Sequence, residues 1–341
     1  MLLNKCIQFY FHMPIILRLL LTVCFLMILF GFIIHFIEPE HFPSAFDGIW
    51  WAFVTGSTVG YGDYVPLSTI GKVVAILLIL AGGGLVTFYM ATLSAGTIKY
   101  EKDLSEGKIA FKGSDHLILI GWNERTRQLL KMFESNDIPN LPTDIVLIDH
   151  SLNRVSYQEN HVHFIHGQPT SDDILEKANI QQAKCVVITS DPDKSEEEAD
   201  RQTILNIIAA KGNNVNVYTI AEILTDVQKK NATRAGSDEI IKSNQFMSSL
   251  FFQSLFQTNS LSTIDIIAKS LEMQQFCSAP IDPPFIQKDF YTCALHFLEQ
   301  EQFLIGIIRD DEYLLHPSFT TILQKGDQLI YLKRIKRDFH Q

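Results

Sequence analysis

Apolar and polar residues alternate with different periods in different parts of this chain, and in two stretches they do not alternate at all. Leu19–Ile37 carries no charge apart from a titratable His35, and it can begin at Ile15 if Arg18 reaches up to headgroup level. Val73–Ile98 runs 26 residues with no charge. About 20 apolar residues suffice to cross a bilayer, so both read as spans. The first reads as a span rather than a cleavable leader, because its apolar run is long and no small-residue cleavage site follows. Between them, Ser44–Ser57 (SAFDGIWWAFVTGS) has the pattern of a short apolar helix, with Ser44 as cap and Asp47 three residues on. It is too short to span and reads as a re-entrant segment.

Beyond Asp115 short apolar runs take over: His116–Trp122, Asp144–His150, His161–Gly167, Cys185–Ser190, Asn216–Glu222 and Glu239–Ser243. Helical patterns such as Glu124–Glu134 and Glu196–Lys211 lie between them. Strands alternating with helices imply a parallel, doubly wound α/β sheet. The pattern from Asn244 to about Gln257 is helical. The last ~75 residues read as a small lobe with strands near Phe303–Arg309 and Gln328–Lys333 and a turn at Lys325–Asp327. The expected division is a membrane-spanning unit over 1–98, a polar linker over 99–115, a Rossmann-like domain over 116–258 and a C-terminal α+β lobe over 259–341.

Charge sharpens this division. Residues 1–100 balance, so residues 101–341 carry the whole formal net charge of −10. An acidic soluble part argues against nucleic acid as partner. Lys5 and Arg18 precede the first span, Lys99, Lys102, Lys108 and Lys112 follow the second, and none lies between Ile37 and Gly71. Both termini are therefore expected in the cytoplasm of a multi-pass protein of the cell membrane, with the intervening loop outside. Cys6, Cys24, Cys185, Cys277 and Cys293 show neither a metal nor a disulfide spacing and read as reduced thiols.

The short helix runs directly into Thr58-Val59-Gly60-Tyr61-Gly62-Asp63. Here the sequence resembles the potassium-channel pore family, whose filter loops carry this string. The resemblance implies a selectivity filter built from rings of backbone carbonyls that replace the water shell of a potassium ion. Gly60 and Gly62 allow the left-handed angles needed to turn successive carbonyls to one side. One chain supplies a quarter of such a ring, which implies a homotetramer in the lipid bilayer. Gly82-Gly83-Gly84, in mid-span, resembles the gating hinge of this family, with Gly82 and Gly84 as the hinge residues.

From about His116 onward the chain resembles regulator-of-potassium-conductance domains. The likeness rests on Gly121-Trp122-Asn123-Glu124, on His166–Thr170 with Ile174–Asn179, and on Gly326–Ile330. It implies a cytosolic ring of such domains, four from one tetramer or eight as the family often builds, that gates the pore when a ligand binds. An adenine nucleotide or NAD would meet Gly121, Asn123, Thr126, Asp149 and Gln168, although a dinucleotide fingerprint would have glycine where Asn123 and Thr126 stand. Calcium-gated relatives bind the ion near the ends of the fourth and fifth strands. Glu222 matches one such ligand, but Leu224 stands where a second acid is expected. The run Asp191–Asp200 could hold a divalent ion or serve as a solvated helix start. His161, His163 and His166 alternate on a strand without a cysteine or carboxylate to complete a metal set. No catalytic constellation is visible, and the chain reads as a non-enzyme. Two other readings stand beside the ligand-gated potassium channel: a membrane-anchored NAD-dependent oxidoreductase, and a poorly selective cation pore with no ligand control.

Overall fold

The computed structural model describes residues 10–135, 142, 144–155, 162–255 and 263–335. His161, and with it the start of the expected third strand and one histidine of the alternating set, lies outside these, as do Phe256 and Gln257 at the end of the helical pattern after Asn244. The chain folds as two compact units with the boundary between Leu104 and Ser105.

In the first unit both apolar runs become helices: α1 (Ile15–Ile37), and a continuous helical stretch, Thr69–Ser105, made of α3 (Thr69–Leu78), a five-residue π turn (Ile79–Gly83) and α4 (Gly84–Ser105). Each is long and apolar enough to cross a membrane. Between them lies α2 (Ala45–Gly56). Its capping box is formed as expected, the Ser44 hydroxyl accepting from the Asp47 amide and the Asp47 carboxylate accepting from the Ser44 amide. α1 and α2 touch backbone to backbone at two glycines. A methyl group at Gly48 would sit 2.2 Å from the Gly31 carbonyl oxygen, and one at Gly31 would sit 2.5 Å from Ile49 Cα. Met27, Ile34, Phe42, Trp51, Ala52 and Leu78 form the core of this unit.

Glu38 fastens the far end of α1 to the start of α3. Its carboxylate accepts from the Leu67 amide at 3.0 Å, the Ser68 amide at 2.9 Å and the Ser68 hydroxyl. Burial alone would push this carboxyl up, but the hydrogen bonds from Ser68 and Leu67 outweigh it and hold its pKa below the usual range.

The second unit begins with a parallel six-stranded sheet in the order β3-β2-β1-β4-β5-β6, formed by β1 (Leu117–Ile120), β2 (Ile145–Asp149), β3 (Val162–His166), β4 (Cys185–Ile188), β5 (Tyr218–Glu222) and β6 (Glu239–Ile241). α5 (Glu124–Ser135), α6 (Asp172–Lys177), α7 (Glu196–Asn213) and α8 (Asp226–Arg234) connect the strands. Every residue of β1 and β2 is buried, as a sheet covered on both faces requires. Each buried Ile, Leu or Val contributes about 1.5–3 kcal/mol, so the central strands anchor the domain.

After α9 (Ser243–Ser254) and α10 (Thr263–Met273) comes a second, antiparallel sheet in the order β7-β10-β8-β9, with α11 (Phe290–Glu299) packed on it. Its strands are β7 (Gln274–Pro280), β8 (Gln302–Arg309), β9 (Glu312–Leu315) and β10 (Gln328–Arg334). The Arg309 guanidinium donates two parallel bonds of 2.7 Å to Asp327, which follows the left-handed Gly326. Asp327 is held below the usual carboxylate range by this pair.

Lys99–Asp115 is not one polar linker. Helix α4 continues to Ser105, and residues 105–115 are a strap bonded along the parallel-sheet domain. The Val155 amide donates to Ser105 O, the His166 amide to Gly107 O, the Phe111 amide to Lys177 O and the Asp115 amide to Gln182 O. Ile109 O lies 2.7 Å from His163 Nε2, and Asn179 Nδ2 donates to Gly113 O. Gly107 has φ +67°, and a methyl group there would lie 2.3 Å from the His166 nitrogen, so only glycine fits this close approach. The Phe111 ring lies between His116 and His163. Burial holds the fully enclosed His116 below the ordinary histidine pKa, and its Nδ1 has no partner in the described structure.

Candidate functional site: the Thr58–Asp63 loop and the sheet-end crevice

α2 ends where Thr58 turns left-handed, and the backbone then alternates: φ is +64° at Thr58, +60° at Gly60 and +77° at Gly62. The glycines meet this requirement without strain, and Thr58 adopts it against the usual preference of a β-branched residue. The Val59 and Gly60 amides both donate to Val54 O, which fastens the loop to the last turn of α2. Trp50 braces the outer end. Its indole Nε1 donates to Asp63 Oδ2 at 2.8 Å and its ring stacks on Tyr61 at 6.1 Å between centroids. Val59 and Tyr61 remain 56% and 69% exposed in the single chain, and nothing lies within 4 Å of a methyl group built on Gly60 or Gly62. The loop is therefore held from the α2 side and open on the other.

The three mid-span glycines have separate surroundings. Gly82 lies in the π turn against α1, where a methyl group would come within 3.0 Å of Met27 Cε and 3.1 Å of Leu78 Cδ1. Gly83 and Gly84 face open space. A π turn carries one residue more than the helix around it, and such turns concentrate at functional positions.

At the carboxyl ends of the parallel strands a crevice of about 310 Å³ opens between β1 and β4, where the strand order reverses. Of the candidate nucleotide residues, Gly121, Asn123, Asp149 and Gln168 line it, together with Trp122. Their partners are within the protein. Asp149 is 5% exposed, and its oxygens accept from the amides of Trp122, Ser151 and Leu152 and from the Ser151 hydroxyl. Asn123 Oδ1 caps α5 by accepting from the Thr126 amide, and its Nδ2 donates to Thr189 Oγ1 and Ser190 O. Thr126 does not face the crevice but donates its hydroxyl back to Gly121 O. Two amides that a dinucleotide phosphate would use are thus already bonded, and Glu124 places a negative charge on the first turn of α5.

Glu222 ends β5, 5% exposed, with both carboxylate oxygens engaged. Oε2 accepts from the Ser190 amide at 2.8 Å and faces Arg125 Nε at 3.0 Å, while Oε1 accepts from the Ser243 hydroxyl. Among the described residues no three His, Cys, Asp or Glu side chains come together as a metal set. In the acidic run, Asp191 bonds the Asp193 amide and pairs with Lys194, and the buried Asp200 accepts from Leu224 and Thr225. The part played by Arg125 was not legible in the sequence, because no spacing rule links the first turn of one helix to the end of a strand nearly a hundred residues on.

A family pattern described as an ion channel matches residues 22–97, and one described as a TrkA-N domain matches 117–243. The chain is 40% identical over 328 residues to the provisionally named potassium channel protein YugO of Bacillus subtilis, covering 96% of this chain and 98% of that one. It is 30% identical over 314 residues to the calcium-gated potassium channel TvoK of Thermoplasma volcanium, covering 89% of this chain and 86% of that one. Among solved structures, the GsuK channel shares the fold with a TM-score of 0.51 at 16% identity, the match covering 94% of this chain and 58% of that one. The chain belongs to the family of potassium channels in which an ion-channel membrane segment is followed by a TrkA-N domain.

Proposed function

We propose that four copies surround one axis, and that Thr58–Gly62 of each lines it with backbone carbonyls to form a potassium-selective filter, Asp63 standing at its outer end. The observation that carries this reading is the left-handed backbone at every second residue, Thr58, Gly60 and Gly62, on a loop braced from one side only. A dehydrated potassium ion requires oxygens in place of its water shell, and rings of carbonyls supply them. The exposed Val59 and Tyr61 are what a neighbouring copy would cover. The placement of Lys and Arg supports an orientation with both termini in the cytoplasm of a cell-membrane protein. The pore then comprises 1–98 and the regulatory part 116–258 with 259–341, the latter joined to α4 through the strap.

Gating is assigned to the cytosolic part, with Gly82 and Gly84 as the points where α3 and α4 change direction. The relative TvoK is calcium-gated by name, and in this chain the crevice around Trp122 and Gln168 offers a ligand position sized for a nucleoside. Rubidium uptake into liposomes tests the pore: uptake abolished by a pore blocker supports it, and no uptake with measurable NADH turnover overturns it. Thermal melting of the full chain against adenosine nucleotides, NAD, calcium and manganese identifies the ligand, since a true binder raises the melting temperature with its concentration.

A further inference from the structure

Glu222 is a buried carboxylate at the carboxyl end of β5, beside the end of β4. This edge of an open parallel sheet is where such folds receive ligands. A buried carboxylate needs a counter-charge, and here the chain supplies its own. Arg125, from the first turn of α5, places Nε 3.0 Å from Glu222 Oε2 and donates Nη2 to Ser190 O at 2.8 Å. The guanidinium thus touches two oxygens from two strand ends. It does so from the solvent side, its side chain 48% exposed against 6% for that of Glu222. It covers both oxygens from that side.

The same carboxylate anchors a helix. Its Oε1 accepts from Ser243, the first residue of α9. α9 buries no side chain of its own, and Phe246, Met247, Phe251 and Phe252 are exposed. Its start is held by the Ser243 bond, by Asn244 Nδ2 donating to Glu196 at 2.8 Å and by the neighbouring Lys242–Asp226 pair. What sits on Glu222 therefore bears directly on the position of α9.

We propose that the Arg125 guanidinium is a tethered cation filling a cation-binding position made by Glu222, Ser190 and Ser243, and that removing it turns this position into a divalent-ion site controlling α9. Hard divalent ions favour carboxylate, carbonyl and hydroxyl oxygens and complete their shells with water, which the half-exposed side held by Arg125 would admit. In the natural chain the position is permanently occupied, so gating through it needs no ion. The part of the inference that concerns current rests on the channel reading above; the part that concerns binding does not.

The test uses the full chain and manganese as probe. In detergent, Mn²⁺ titrations followed by electron paramagnetic resonance should show one additional saturable site per chain in Arg125→Met, lost again in Arg125→Met/Glu222→Gln and competed by calcium. In liposome patches, Arg125→Met should lose at least about fivefold in open probability in EDTA, the lower end of ordinary coupling between sites, and regain it with calcium. Arg125→Lys, which keeps the tethered charge, should behave as the natural chain in EDTA and reports independently of any folding defect in the Met variant. The inference is overturned if Arg125→Met binds no more Mn²⁺ than the double variant, if its current is unaltered in EDTA or is not restored by calcium, or if the natural chain already binds Mn²⁺ through Glu222. Absence of current from every variant, with the Mn²⁺ pattern intact, would fault the channel reading and leave the site standing.

Discussion

The two units dispose of their apolar surface in opposite ways. The parallel sheet of the second covers itself: β1 and β2 are wholly buried, with clusters packed on both faces. The first unit leaves its long helices bare. α4 buries no side chain, and Ile76, Ile79, Leu80 and Phe88 are all more than half exposed. Bare apolar helices are normal where lipid is the solvent, but an exposed Tyr61 and an open carbonyl loop call for neighbours of the same kind. In the proposed four-copy arrangement, one chain contains a whole regulatory domain and a fraction of a pore. Substitutions in the second unit should therefore act within one chain, whereas those in the first should act through assembly.

The largest break is expected at the filter loop. Gly62→Ala places a side chain at φ +77°, where an L-residue costs about 1–2 kcal/mol in each copy. Rubidium uptake should fall by about tenfold or more, with tetramers still forming on a sizing column. Gly48→Ala comes next, because the added methyl meets the Gly31 carbonyl at 2.2 Å and neither backbone can yield without parting α1 from α2. Overpacking of this kind costs about 1–3 kcal/mol, read as a lower melting temperature and a reduced tetramer yield in detergent. Glu38→Gln keeps the shape but loses the charge that accepts from Leu67 and Ser68. A cost of about 1–2 kcal/mol is expected, seen as faster hydrogen exchange around residues 66–71.

The smallest effect distinguishes the second unit by pH. His116 is buried neutral, with its pKa lowered by burial, so the folded domain binds fewer protons than the unfolded chain below the ordinary histidine range. Stability from this group is fully present above about pH 6.5 and is lost as pH falls from there toward the lowered folded value. His116→Gln should flatten that part of the melting-temperature profile and leave the pore's ion preference unaltered.

Much of this was legible in the sequence, for definite reasons. Uncharged runs longer than a bilayer needs leave little choice but a span, and Ser44 with Asp47 marked the start of α2 before the box was seen. The central strands β1 and β2 were legible because both faces are buried, which makes each a nearly unbroken apolar word. β7, QQFCSAP, and β9, EYLL, escaped because edge strands of a small antiparallel lobe need bury little. The strap escaped for another reason. Residues 105–115 are polar enough to read as a linker, and only the distant partners His163, Lys177 and Asn179 reveal that they are fixed. Glu222 was picked out by position, but its engagement with Arg125 and Ser243 depends on the meeting of three separated elements.

Everything assigned to the pore turns on whether Thr58–Gly62 replaces the hydration shell of potassium in preference to that of sodium. Reversal potentials of the purified full chain in planar bilayers, with potassium on one side and sodium on the other, measure this directly. A carbonyl-lined filter gives a reversal potential far toward the potassium equilibrium value, and the displacement collapses in Gly62→Ala. A reversal potential near zero in the natural chain would contradict it.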